Sequence, residues 1–261
     1  MMFESLEPLA RTALRTTARV GLRRHVRLHV EGLENVPATG PVVVAAHHFH
    51  NLYDGAVLVA SLPRAAHIMV ALDWVQDSLS RRVMESACST ARWPVVLRGD
   101  GLRPPLVRDD GSVTSAGSAF NQEEQTHYLR RAVRDTVNLL REDRLLIIFP
   151  EAYPVVDPNP GKRENLRDAD DFLPFEPGFL RLVKLAQSGG RTPVAIIPAG
   201  LYYRRLHGRL SWEVTLRYGA PLYLGPRDDR AARCRAIAEE VRFLSRDPNA
   251  TPSSPNVAAR A

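Results

Sequence analysis

The sequence predicts an α/β fold: a mostly parallel central sheet flanked by helices, with an amphipathic helix at the N-terminus. Three observations carry that expectation: short runs of wholly apolar residues, helical patterns spaced between them, and chemically capable polar side chains directly after several runs. A strand that is apolar throughout suits a parallel sheet covered on both faces, and alternation of such strands with helices implies α/β layering.

Residues 3–22 show helical spacing of apolar positions, with Arg11, Arg15 and Arg19 four apart on one face and Arg23 and Arg24 just beyond. Such a helix either packs with a solvated basic face or rests on anionic lipid. Residues 25–31 alternate as a strand, Gly32 to Asn35 and Pro37 to Pro41 read as turns, and Val42–Ala46 is a continuous apolar strand. Further strands are expected at 65–72, 94–97, 145–149, 194–197 and 212–216, and helices at about 54–61, 74–87, 123–142, 179–187 and 230–244. Two polar segments, 99–122 and 154–174, are too long for ordinary connections and read as binding or disordered loops. Residues 1–24 form the basic helix, 25–247 a single domain, and 248–261 a disordered tail.

Composition narrows the function classes. With 261 residues, 44% of them apolar and 25% charged, the chain can bury a full core and is neither fibrous nor disordered. Cys88 and Cys234 stand far apart, which excludes a disulfide framework or a paired-cysteine metal site and fits a reducing compartment. A net charge of +6 suits polyanionic partners: nucleic acid, an anionic membrane surface or phosphorylated substrates. Zinc-finger, aromatic RNA-binding and lysine-rich signatures are missing, which argues against nucleic acid. Apolar runs fall well short of the ~20 residues of a spanning helix, and the first residues lack the apolar core of a signal peptide. A soluble or surface-bound protein is expected.

Polar groups follow three apolar runs: His47-His48-Phe49-His50 after Val42–Ala46, Arg98 after 94–97, and Glu151 after 145–150. Carboxyl ends of neighbouring parallel strands share one sheet edge, where ligands bind. His48 and Asp54 lie across a turn, so the carboxylate can accept one imidazole N–H and raise the basicity of the other nitrogen. Spacing alone also allows histidines that merely cap a helix, or a metal site of His48, His50 and Asp54, although no matching ligand set stands elsewhere. A Gly-x-Ser-x-Gly elbow is missing and neither cysteine lies near these runs, so a covalent nucleophile has no candidate.

Taken in order, Val30-Glu31-Gly32-Leu33-Glu34-Asn35-Val36-Pro37, His48-x5-Asp54, Trp93-Pro94-Val95-Val96-Leu97-Arg98, Phe149-Pro150-Glu151 and Val194-Ala195-Ile196-Ile197-Pro198 resemble the blocks of the glycerolipid (PlsC-like) acyltransferase superfamily over about residues 26–221. The resemblance implies that His48 and Asp54 form a catalytic pair, and that Arg98 and Glu151, with Phe149 and Pro150, bind the acceptor. It implies acyl-CoA or acyl carrier protein as donor, a lysophospholipid such as 1-acylglycerol-3-phosphate as acceptor, no cofactor or metal, and a peripheral place on the cytoplasmic membrane face. A lipid-binding member of the fold without turnover is the alternative. Three departures stand out. The family's commoner spacing is His-x4-Asp, which would put histidine at Phe49; His47 occupies a frequent asparagine position, leaving His47 and His50 as other candidate bases; and Ala152 replaces a usual glycine. The arginine that often follows the Glu block is missing beside it, with Lys162, Arg163 or Arg167 as substitutes.

Overall fold

A computed structural model describes residues 7–73, 75, 77–98, 106–107, 113–114, 122–156, 168, 171–206 and 211–247. Its frame is a six-stranded sheet with the order β1 (Val26–Glu31), β10 (Trp212–Tyr218), β9 (Ala195–Arg205), β2 (Val42–Ala46), β8 (Leu145–Ile148), β3 (Ala66–Ile68). Four neighbouring pairs are parallel and only β9 and β10 run antiparallel, as a hairpin. The expected mostly parallel sheet is what the chain forms.

Strand β2 shows why such runs are apolar throughout. Val42, Val44 and Ala46 face one helical layer, where α1 (Glu7–His25) and α2 (Tyr53–Ser61) contribute Leu22, Val57 and Leu58, with Leu62 just past the end of α2. Val43 and Ala45 face the other, where α4 (Gln122–Arg141), α5 (Gly178–Gln187) and α6 (Arg230–Leu244) contribute Leu140, Leu180, Val183, Ile237 and Val241. With both faces covered, neither parity of the strand can be polar. Two glycines set close approaches: a β-carbon on Gly32, at φ +69, would stand 2.2 Å from the Tyr218 carbonyl, and one on Gly200 would stand 2.3 Å from the Leu244 backbone, where α6 crosses β9.

Several boundaries differ from expectation. The run at 65–72 splits into β3 and a short β4 (Val70–Ala71), which leaves the main sheet to pair with β5 (Val95–Val96). The strand expected to stop at 197 continues to Arg205, because Pro198 and Gly200 sit inside β9. The helix expected at 74–87 is α3 (Ser78–Thr90), started by the Asp77 side chain accepting from the Ser80 N–H. Within the polar segment 99–122, Leu106–Val107 (β6) and Val113–Thr114 (β7) pair antiparallel. The tail at 248–261 lies outside the described residues, as do Lys162, Arg163 and Arg167.

The N-terminal helix is present, but its arginines are not simply solvated. Arg19 Nε donates to the Ala60 carbonyl at 3.1 Å, in the last turn of α2, and Arg15 is half-buried. A cation at the C-terminal carbonyls of a helix is favourably placed against its dipole. Among the described residues, no helix is long and apolar enough to cross a membrane.

Candidate active site

Strands β2 and β8 run parallel with Ala45 opposite Ile148, so the chain leaves both at one sheet edge. The two exits are His47-His48 and Phe149-Pro150-Glu151. They are bonded to each other: Glu151 Oε1 accepts from the His48 backbone N–H at 3.0 Å and lies 2.7 Å from His47 Nδ1, while Oε2 accepts from the Leu173 N–H at 3.1 Å. Glu151 is fully buried, and donors converge on both of its oxygens. A few residues on, Val155 and Val156 donate to the carbonyls of His48 and Phe49 at 3.1 and 2.7 Å, and Asn51 donates back to the Val156 carbonyl at 3.2 Å. The histidine loop is thus held along its length by the segment that follows Glu151.

The other side of the loop is the start of α2. His50 Nδ1 accepts from the N–H groups of Leu52 and Tyr53 at 3.3 and 3.5 Å, and Asp54 Oδ2 reaches back to accept the His50 N–H at 2.8 Å. This reciprocal arrangement resembles a capping box with an imidazole as the cap. Burial pushes the His50 pKa below histidine's ordinary range, Asp54 pulling it up and His48 pushing it down. A neutral ring with Nδ1 as acceptor fits that environment, and this use of Nδ1 separates His50 from the role of base.

Asp54 is fully buried and collects three donors: the His50 N–H, His48 Nδ1 at 2.9 Å, and the Tyr203 hydroxyl on Oδ1 at 2.5 Å. Burial and the neighbouring Asp54 carboxylate hold the Tyr203 phenol well above its usual pKa, so it remains a donor. Tyr203 reaches the site because β9 runs on past Ala199, which pairs with Ala46 at the end of β2. Its ring stacks on Phe49 at 4.6 Å and meets Trp212 edge-on at 5.7 Å. The His48 ring stacks on Phe149 at 4.2 Å, and its Nε2 makes no hydrogen bond among the described residues. His47, only 3% exposed, is enclosed between Glu151 and the Phe172 ring. His47 and His48 both hold a carboxylate on Nδ1, but the His48 side chain is 13% exposed against 3% for His47, so its Nε2 is the better placed to meet a substrate.

Arg98 arrives by a second route. β4 and β5 pair with Ala71 opposite Val96, so Asp73 and Arg98 each stand two residues beyond the paired positions. Arg98 Nε donates to Asp73 Oδ1 at 2.9 Å, Nη2 to Oδ2 at 2.9 Å, and Nη1 to the Ala152 carbonyl at 2.6 Å, while the guanidinium lies over the Tyr153 ring at 4.0 Å. A fork held this way still carries one N–H on each terminal nitrogen. Ala152, the residue it grips, sits at φ 65, in the left-handed region that glycine adopts without strain. Arg98, Glu151 and His48 therefore share one turn.

All the expected site residues gather here, but Glu151 has no exposed surface with which to meet an acceptor, so its bonds fit a positioning role. Sequence reasoning missed Asp73 and Tyr203. Asp73 follows an apolar run as Arg98 does and was open to the same argument; Tyr203 gave no signal, because Pro198 and Gly200 read as a strand end. Hollows of about 240 Å³, between α3 and α4, and about 330 Å³, beside α6, lie elsewhere and are lined by none of these residues. Among the described residues, no group of three or more His, Cys, Asp or Glu side chains is arranged to hold a metal ion.

Comparison with known proteins adds three findings. A family model described as acyltransferase matches residues 27–202. The fold is similar to the crystal structure of the 1-acyl-sn-glycerophosphate (LPA) acyltransferase PlsC from Thermotoga maritima, with a TM-score of 0.57 and 15% identity over 95% of this chain and 84% of that one. No curated protein matches the sequence.

Proposed function

From the premise that this chain belongs to the acyltransferase family, we propose that it moves a fatty acyl group from a CoA or acyl-carrier-protein thioester to a lysophospholipid hydroxyl. The acceptor we favour is 1-acylglycerol-3-phosphate, giving phosphatidate. The observation that carries the reading is the buried Asp54 carboxylate on His48 Nδ1 at 2.9 Å, with Nε2 left open.

In this mechanism His48 Nε2 takes the proton of the acceptor hydroxyl as its oxygen attacks the thioester carbonyl carbon. The imidazolium is stabilised by Asp54, and Tyr203 and the His50 N–H keep that carboxylate oriented. The tetrahedral intermediate collapses with cleavage of the C–S bond, and the thiolate recovers the proton from His48. No acyl-enzyme is formed. Arg98, fixed by Asp73 and Ala152, directs its two remaining N–H groups to the acceptor phosphate. Phe149 and Pro150 shape the wall beside His48, and Glu151 sets the loop that presents it. Because the acceptor resides in a bilayer interface, the protein works peripherally at the cytoplasmic membrane face, where its net charge of +6 favours anionic lipid.

The test is a panel of lysophospholipids and glycerol 3-phosphate with acyl-CoA or acyl carrier protein, read by mass spectrometry of the lipid product. His48→Ala is expected to lose ~10²- to 10⁴-fold in rate. No acylated product from any acceptor would refute the proposal and leave a lipid-binding member without turnover; full activity in His48→Ala would refute the role of His48 as base.

A further inference from the structure

Strand β1 is a sheet edge: it pairs with β10 on one side and is the terminal strand of the order. Its residues from Arg27 to Glu31 are exposed except for Leu28, which is half-buried against the core. Proline is absent from it, so the alternate residues whose N–H and C=O point away from β10 keep both the donor and the acceptor that a further strand needs. Charges on an edge normally deter pairing, but these are arranged symmetrically about the middle of the strand. Antiparallel pairing centred on His29 puts Arg27 opposite Glu31 of a second copy, twice by symmetry, and Leu28 opposite Val30, also twice. One face of the junction is then ionic and the other apolar, as the strand's alternation demands.

The neighbouring strands strengthen the match. Across the sheet Arg204 Nε donates to Glu213 Oε2 at 2.7 Å, and Glu213 lies 3.6 Å from Arg27. Two rungs along, Arg217 pairs with Glu31 at 2.9 Å. In the centred register the row Arg204, Glu213, Arg27 continues into Glu31 and Arg217 of the second copy, so charge alternates without a break across the axis. Arg27 and Glu31 are each 57% exposed at the side chain, which leaves both free to share a second partner. Val30, 36% exposed, would gain apolar cover from Leu28 of the second copy.

We propose that the β1 edge is a self-association surface, through which two copies of this chain pair antiparallel about His29. An isologous contact of this kind uses the same patch on both partners. Five residues a side, 27–31, is small beside the ~20–30 of a standard interface, so the dimer is reversible and concentration-dependent.

Sedimentation velocity on the full chain at rising concentration should show a monomer–dimer equilibrium. Arg27→Glu alone and Glu31→Arg alone each place like charges opposite one another twice and should weaken the dimer by about ten-fold or more. Combined, the two reversals put opposite charges back across the axis, so the double variant should dimerise more tightly than either single one, though short of the parent because Glu213 and Arg217 then face like charges within each copy. His29→Cys should oxidise to a covalent dimer, because residues directly opposite have β-carbons about 4.5–5.5 Å apart, whereas Arg27→Cys alone should not. The native Cys88 and Cys234 are buried and offer no competing surface thiol. All four substitutions fall on exposed side chains, and an unchanged melting temperature checks that each variant folds. A monomer at every concentration, a double reversal no tighter than either single one, or cross-linking of Arg27→Cys as readily as His29→Cys would overturn the proposal.

Discussion

Replacing Tyr203 by Phe removes one oxygen and leaves the ring in its stack on Phe49 and its edge contact with Trp212. What is lost is the single donor on Asp54 Oδ1, since His48 Nδ1 and the His50 N–H both address Oδ2. Asp54 is fully buried, so water does not replace the missing donor. A hydrogen bond to a charged group contributes roughly 1.5–3 kcal/mol. For a chain of this size each kcal/mol moves the melting temperature by about 2–4 °C, so a loss of about 2 kcal/mol should lower it by about 4–8 °C. The carboxylate would remain on His48 but could turn about its own axis, and kcat should fall about ten-fold with little change in KM. Calorimetry of both proteins and steady-state kinetics by thiol release measure the two effects. A melting temperature within about 1 °C of the parent together with an unchanged kcat would show that the hydroxyl does not hold Asp54, and the orientation argument would fail.

Other consequences follow from the same turn and loop. Ala152→Gly should raise the melting temperature by about 2 °C: the left-handed conformation costs alanine about 1–2 kcal/mol, of which roughly half is offset by the greater freedom of unfolded glycine; a lower melting temperature would contradict the strain. Glu151→Gln turns an NH2 group toward one of the donors that meet there, and kcat should drop about 100-fold while the acceptor KM stays within about two-fold. A KM rise with kcat intact would make Glu151 a binding group instead. His50 has a pKa below histidine's 6.5 when folded, so the unfolded chain binds its proton more readily and stability is lost as pH falls below about 6.5 toward the folded pKa. Denaturant unfolding at pH 7.5 and 5.5 should show a smaller acid loss in His50→Gln than in the parent, and equal losses would sink the assignment.

The sheet was largely legible because β2 and β8 are apolar at every position, a pattern that only two-sided cover explains. The same rule placed His48 and Glu151 at one edge of that sheet, whereas Arg98 reaches them from the separate β4–β5 pair. It failed at β9, where Pro198 and Gly200 are conventional strand breakers. There the Pro198 carbonyl accepts from Gly219, and the missing side chain of Gly200 admits the end of α6, so tertiary contacts override local preference. Orientation was also beyond sequence pattern. Three histidines in four positions look alike, and only their partners separate an enclosed ring at His47, a helix cap at His50 and a ring with one open nitrogen at His48. Arg15 and Arg19 show the same limit, since helical spacing says that they share a face but not which neighbour that face meets.

That neighbour is α2, and it has two ends. One end receives Arg19 at the Ala60 carbonyl; the other, nine residues long in all, begins beside Asp54. A short helix is stiff, so whatever reseats the N-terminal segment tugs on the rod that carries the carboxylate. Affinity tags fused ahead of Glu7, or deletions meant to improve handling, are therefore better judged by turnover than by yield: a sample that stays in solution with its rod tilted would look sound and work poorly.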